Sequence, residues 1–509
     1  MNFWQELQGF SRMRLVQLVA LTLLLAFLGS LSITAVHSVH DPDIWWHLKV
    51  GDWIRENHAV PHSGIFSRTA ADHPWVAYSW GYELLLSVFY SAFGLMGIGL
   101  NGLTLTMLVA ALVFWSAHRL SRNFWLSVLL TAVGCCSFLY LLMPRPVFFS
   151  MALFAILITL LLECQRTGQL RGLCWLPLIF CLWANLHIQF VYGLFVFGLF
   201  VFVRTVQQLV ESRFGKLPIL ESPTALPLLR LWAILAACFV AGCLGPYGTN
   251  LYRVVFDYSK AKVAYSMIME LMAPDFTGGN HYLELLLAAA AFFALGWRRH
   301  INMFKALLLI TAAVFAFRTV RDAWFLSMVS VVCIAEAFRT DKDEQSSRPF
   351  HLHELAAITV GVLFCIFLVA KNTNFTARGL DSIASSFYPT NAANFIRHNP
   401  LPGPMFNSFD WGGFLTWYLP QYPVSGDGRN DLYGDELDSR LYRVEDGKVP
   451  YQQEPIFAES RLILLENYVP LAKLLSTDPA YQTVYRDRIA VIYVRREGPT
   501  PEVPAAMAP

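Results

Sequence analysis

The chain reads as a mainly α, polytopic membrane protein with about eleven transmembrane helices and a small C-terminal extracytoplasmic α/β domain. Three observations carry that expectation. Of 509 residues, 56% are hydrophobic and 15% charged, with a mean hydropathy of +0.46, whereas a soluble globular protein averages about 45–50% apolar and 25% charged residues. Apolar runs near the ~20 residues that cross a bilayer recur along residues 1–371, and the composition then turns polar. Lysine and arginine gather in alternate connections between those runs.

The runs lie at 15–36, 98–118, 123–142, 147–164, 228–245, 283–297, 303–317, 322–338 and 354–371. The stretch 173–203 is too long for one span and carries Asn185-Leu186-His187 at its middle, so it reads as two short spans joined by a polar turn. Residues 80–96 are apolar but start inside a polar loop, as an interfacial amphipathic helix does. If 80–96 does not cross, Arg12/Arg14, Arg119/Arg122, Arg166/Arg171, Arg204/Arg213/Lys216, Arg298/Arg299 and Arg339/Lys342/Arg348 all face the cytoplasm, as basic loops do. The N-terminus is then inside and the C-terminus outside. The first run exceeds the ~7–15 residues of a signal-peptide core and lacks an A-x-A-like site, so it reads as a retained anchor.

This topology sends 37–97 (the first outer loop), 143–146, 246–282, the turn 317–322 and everything after 371 to the outer face. Residues 372–498 read as the extracytoplasmic α/β domain, with helices at 390–398 and 458–475 and a buried strand at 488–494. The Pro- and Ala-rich 499–509 reads as a disordered tail. A net charge of +2 without basic aromatic strips excludes a nucleic-acid partner. The nine cysteines lie within or beside apolar runs and form neither a disulfide framework nor a CxxC site.

Chemistry concentrates in His40-Asp41-Pro42-Asp43-Ile44-Trp45-Trp46-His47, just beyond the first run. Carboxylates at the exit of a span are costly near lipid and mark chemistry or ion binding. Proline disfavours helix for the residue before it, so Asp41 and Asp43 are expected in an extended turn. There one can deprotonate a hydroxyl, or the pair can ligate a divalent cation such as Mg or Mn. The plainer alternative is that they start the helix that follows. The loop's tryptophans suit an interfacial belt, or one such as Trp46 stacks on a sugar. His47 and His187 are candidate hydrogen-bonding partners of a substrate. No HExxH or comparable spacing supports a zinc site. Arg145, between two prolines, and Arg318 and Arg321, at another outer edge, run against the positive-inside bias. Guanidinium groups there fit phosphate oxygens, although snorkelling to headgroups is the ordinary alternative. In the tail, Asp427-Gly428-Arg429 combines a tight-turn pair with charges that can meet a polar ligand.

With its many spans, a long first outer loop bearing paired acids, interfacial helices and a C-terminal outer domain, the chain resembles the GT-C superfamily of membrane glycosyltransferases. Asp41-Pro-Asp-Ile-Trp-Trp-His-Leu-Lys-Val-Gly51, Ile65-Phe-Ser-Arg-Thr69 and Pro74-Trp-Val76 also resemble a bacterial, glycosyltransferase-like group. The family's acidic pair maps onto Asp41 and Asp43. The resemblance implies inverting transfer of a sugar from a polyprenyl-phosphate donor to an extracytoplasmic acceptor at the bacterial cytoplasmic membrane. An aspartate would act as base and outer arginines would hold the donor phosphate. Asp410-Trp411-Gly412-Gly413 only echoes the Trp-Trp-Asp-x-Gly motif of oligosaccharyltransferases, so a peptide-sequon acceptor is not implied. The competing reading is a non-catalytic scaffold or transporter component of an envelope polysaccharide system. Transporter sites lie near the midplane, whereas the polar residues here gather on one face.

Overall fold

The computed structural model describes residues 12–34, 38–141, 143–215, 221, 226–258, 269–297, 300–340 and 350–496. Lys216, Arg298, Arg299, Lys342 and Arg348 of the expected basic loops, the ends of the runs at 35–36 and 142, and the 499–509 tail lie outside the described residues. Contacts divide the chain into two compact units. The first comprises Met1–Asp41, Val50–Val60 and Val76–Leu380, and the second Pro42–Lys49, Pro61–Trp75 and Asp381–Pro509. The second thus takes in two segments of the 37–97 stretch as well as the tail.

A helix stands on every apolar run. In chain order they are α1 (Arg12–Ser32), α2 (Asp43–Asn57), α3 (Trp80–Phe93), α4 (Leu95–Ser121), α5 (Phe124–Ser137), α6 (Val147–Thr167), α7 (Leu176–Leu186), α8 (Phe190–Phe214), α9 (Leu228–Ala241), α10 (Asn250–Tyr258), α11 (Gly279–Gly296), α12 (Met303–Arg318), α13 (Ala323–Ala337), α14 (Leu352–Asn372) and α15 (Ala377–Phe387). Among the described residues, Arg14–Ser32, Leu95–Ser121, Val147–Thr167, Phe190–Phe214 and Leu352–Asn372 are long and apolar enough to cross a membrane, and α5, α9 and Leu173–Leu186 are shorter apolar helices. α13 is apolar all round and buried from Ala323 through Ala335, as a helix at the middle of a bundle is. α14 instead exposes Leu363, Phe364 and Phe367, a face suited to lipid rather than water.

The polar interruption at 185–187 breaks 173–203 into two helices, and its polar groups are satisfied within the bundle. Asn185 Nδ2 donates to the carbonyls of Cys181 and Leu244, each at 2.8 Å, and its Oδ1 accepts the Trp80 indole N–H at 3.0 Å. α3 has 14 residues, about 21 Å at 1.5 Å per residue, short of a ~30 Å hydrocarbon core. It ends at Gly94, whose φ of +58° turns the chain directly into α4, a backbone conformation that glycine adopts without steric cost.

The second unit adds α16 (Thr390–His398), β1 (Met405–Asn407), α17 (Gly412–Tyr418), α18 (Asn430–Glu445), α19 (Pro455–Ala458), β2 (Leu462–Glu466), α20 (Pro470–Thr477), β3 (Tyr481–Arg486) and β4 (Ala490–Arg495). The sheet runs in the order β1-β2-β4-β3, with β1 parallel to β2 and the other pairs antiparallel. The expected helix at 390–398 and the buried strand near 488–494 are present. The helix expected over 458–475 is not: it resolves into the end of α19, strand β2 and α20. All five residues of β2 are buried, and an apolar run buried on both faces has no period to separate strand from helix. In the same unit Trp45 is fully buried, with its ring 4.8 Å from Trp417 and 5.3 Å from Phe414. The 61–75 segment is tied to the tail by reciprocal backbone bonds, Arg68 N–H to the Val424 carbonyl and Val424 N–H to that of Phe66.

Candidate functional site

Asp41 stands between α1 and the proline that precedes α2, and its carboxylate is fully enclosed. Arg145 projects from the Pro144-Arg145-Pro146 turn that leads into α6. The following proline disfavours helix at Arg145. Its guanidinium forks onto Asp41, Nη2 donating to Oδ1 at 2.9 Å and Nε to Oδ2, while Nη1 donates to both carboxylate oxygens of Glu270 at 2.7 and 2.6 Å. One guanidinium therefore serves two carboxylates, and the cluster carries excess negative charge. Its openness grades outward: the Asp41 side chain is 0% exposed, Arg145 20% and Glu270 33%. The Tyr82 hydroxyl donates to the Pro144 carbonyl. Burial first, and then the Asp41 charge, raises this phenol well above its ordinary value and keeps it a donor.

Glu270 belongs to a single 3-10 turn, Met269–Leu271, and that turn joins the cluster to a second one. The Met272 carbonyl accepts the Val320 N–H at 2.9 Å, and the Tyr140 hydroxyl donates to the Val320 carbonyl at 2.6 Å. Val320 begins the turn between α12 and α13 that carries Arg321 and Asp322, directly after Arg318 and Thr319. Asp322 Oδ1 accepts from Tyr192 at 2.9 Å and Oδ2 from Thr319 at 2.8 Å. Burial pushes this carboxyl up, opposed by those two hydrogen bonds and by Arg321 and Arg318. Arg321 and Asp322 line a cavity of about 180 Å³ with Gln189 and Tyr192, and Ile188, Val191, Val254, Val255 and Leu271 give it an apolar wall. Polar and apolar side chains thus share one cavity, as they do in small-molecule sites. His187, just before that wall, is buried, and its Nδ1 lies 2.7 Å from Ser150 Oγ, which also accepts the Trp183 indole N–H.

The remaining sequence candidates belong to the second unit. Asp43 opens α2, where a carboxylate meets the positive end of the helix dipole, and its Oδ1 accepts the Trp46 indole N–H at 3.0 Å. Trp46 and His47 are 6% and 5% exposed and pack against each other, tilted by 33° with centroids 3.6 Å apart. Asp427 and Arg429 form a pair whose side chains are both 0% exposed. Arg429 also donates to the Ile65 carbonyl at 2.9 Å and lies over the Trp75 ring. Burial alone would lower the Arg429 guanidinium, but Asp427 outweighs it and the net shift is upward. This pair ties the 61–75 segment to the tail.

The structure thus brings Asp41 and Arg145 together, leaves Arg318 and Arg321 on a neighbouring turn, and gives Asp43, Trp46, His47, Asp427 and Arg429 packing partners of their own. Glu270 was missed by sequence reasoning. Its signal was a single acid in the apolar stretch Ile268-Met-Glu-Leu-Met272 of a segment expected on the outer face. All four carboxylate oxygens of Asp41 and Glu270 accept from Arg145, so a divalent cation there would share them with the guanidinium through their remaining lone pairs. Among the described residues there is no group of three or more His, Cys, Asp or Glu residues arranged to hold a metal ion.

No protein-family model matches the chain, and no curated protein does. Among solved structures, the apo oligosaccharyltransferase of Archaeoglobus fulgidus is similar at 11% identity over 89% of this chain and 69% of that chain, with a TM-score of 0.53. The same organism's AglB, in complex with an inhibitory peptide and a dolichol-phosphate, is similar at 10% identity over 90% of this chain and 70% of that one, with a TM-score of 0.52. ArnT from Cupriavidus metallidurans bound to undecaprenyl phosphate matches at 15% identity over 96% of this chain and 99% of that chain, with a TM-score of 0.46. At these identities the likeness concerns the fold alone, and that fold is shared with the two Archaeoglobus fulgidus structures.

Proposed function

We propose that the chain is a glycosyltransferase that moves a sugar from a polyprenyl-phosphate donor to an acceptor hydroxyl at the outer face of the bacterial cytoplasmic membrane. Its N-terminus is cytoplasmic and its C-terminal domain, 372–498, extracytoplasmic. The observation that carries this reading is the Asp41–Arg145–Glu270 cluster, joined through residues 269–272 to the cavity under Arg321. The fold it shares with an oligosaccharyltransferase solved with a dolichol-phosphate supports it.

A sugar hydroxyl is a weak nucleophile, so removing its proton as it attacks lowers the barrier. Asp41 takes that proton: a bidentate arginine leaves further lone pairs on the carboxylate oxygens, and Arg145 fixes their direction. The acceptor oxygen bonds to the anomeric carbon as the bond from that carbon to the phosphate oxygen breaks. The electron pair departs with the polyprenyl phosphate, and displacement from the opposite face inverts the centre. Because Arg145 is already shared by two carboxylates, the phosphate role falls to Arg321, with Arg318 beside it. The apolar wall takes the first part of the lipid.

Purified protein given a polyprenyl-phosphate-linked sugar and an acceptor tests this. Asp41→Asn keeps size and hydrogen bonding, and transfer falls about 10²–10⁴-fold, the usual yield of a general base. Full activity in Asp41→Asn would overturn the assignment and favour the scaffold reading.

A further inference from the structure

A groove of about 900 Å³ lies in the first unit, with Asp52, Arg55, Glu56, His58 and Trp80 in its lining, and the transfer chemistry uses none of these residues. Its polar walls are fixed in advance. Ser87 Oγ donates to Asp52 Oδ1 at 2.6 Å, and Arg55 Nη1 donates to the Ser87 carbonyl at 3.3 Å and lies 3.2 Å from its hydroxyl. The Trp80 indole is held by Asn185. Arg55, Glu56 and His58 are exposed.

His58 gives an independent sign. It follows the last residue of α2 with a φ of +50°, in the left-handed region where helices commonly end on glycine and where a side chain is disfavoured. A histidine kept there presents an imidazole to the groove at the expense of backbone ease, and such strain points to function. An indole beside carboxylates, a guanidinium and an imidazole supplies a flat apolar face together with hydrogen-bond donors and acceptors, which is what a hydroxyl-bearing ring needs. Two carboxylates against one arginine disfavour an anionic ligand.

We infer that this groove binds a saccharide, the glycan portion of the acceptor, through Trp80, Glu56 and His58. Its role as acceptor site rests on the transferase reading, whereas binding itself does not. The test is therefore direct binding, by saturation-transfer NMR, to the full-length protein carrying Asp41→Asn. The probes are cellotriose, chitotriose and mannotriose, with trigalacturonate as the anionic arm.

At least one neutral trisaccharide is expected to bind, and His58→Gly and Glu56→Gln are expected to weaken it about two- to tenfold each, the size of one lost hydrogen bond. His58→Gly relieves the backbone and leaves the thermal midpoint unchanged or higher, so its loss of binding cannot be ascribed to unfolding. Absence of binding by every neutral probe, binding of trigalacturonate alone, or unchanged affinity in both variants would overturn the inference. The transfer assay on Asp41→Asn stands or falls separately.

Discussion

Arg145 and Arg429 each fork onto an aspartate, yet the two pairs live in opposite circumstances. Asp427 and Arg429 are sealed, both side chains 0% exposed, and the arginine's Nη1 donates to the Ile65 carbonyl. Asp41 is equally sealed, but its arginine is 20% exposed and also grips Glu270, itself 33% exposed. The sealed pair matches one charge with another inside the unit, and its energy goes into holding chain segments together. The open cluster has one carboxylate too many and a graded path to its surface, which is the condition for exchanging a partner or a proton. The same ion pair is therefore structural or chemical according to its surroundings.

The largest expected effect on stability tests the sealed side. Asp427→Asn leaves the Arg429 charge buried and uncompensated, which costs about 3–5 kcal/mol, read as a lowered unfolding midpoint of the second unit. An unchanged midpoint would break the contrast. Next, Arg321→Gln removes a charged partner of the proposed donor phosphate, worth about 1.5–3 kcal/mol. Transfer efficiency is expected to fall roughly 10–100-fold, with the thermal midpoint held.

A third prediction concerns pH. Burial pushes the Asp438 carboxyl up to about 8, and its Oδ1 has no hydrogen-bond partner among the described residues. The folded state therefore prefers the protonated form. That contribution is complete below the unfolded value near ~3.9 and is lost as pH rises through about 8. Unfolding midpoints should decline over that window, and Asp438→Asn should flatten the decline. A variant with the same slope as wild type would remove Asp438 from the account. The smallest effect is that of Asp43→Asn, which weakens a helix-dipole contact of about 0.3–1 kcal/mol and leaves most transfer intact. A loss as large as that of Asp41→Asn would return Asp43 to the chemistry.

Legibility followed periodicity and chain distance. The apolar runs, the break at Asn185–His187 and the helix at 390–398 were readable because each is a local pattern of burial. β2 was not, since Leu462-Ile463-Leu464-Leu465 is buried on both faces and shows no alternation. Asp41 and Arg145 were each readable as misplaced charges near lipid, but their pairing across 104 positions was not. Glu270 lies still further along the chain from Asp41. Asp427 and Arg429 looked like ligand groups because charge in a glycine-rich loop is the same signal whether the loop closes on a ligand or on its own chain, and only burial separates the two.

The most direct measurement places Asp41→Asn and Asp427→Asn side by side in one preparation, assaying transfer from a polyprenyl-phosphate-linked sugar and thermal unfolding of each. The account predicts a crossed result: Asp41→Asn loses transfer about 10²–10⁴-fold with its unfolding midpoint nearly intact, and Asp427→Asn loses stability while the folded fraction still turns over. Asp41→Asn unfolding as readily as Asp427→Asn, or transferring sugar at the wild-type rate, would contradict it.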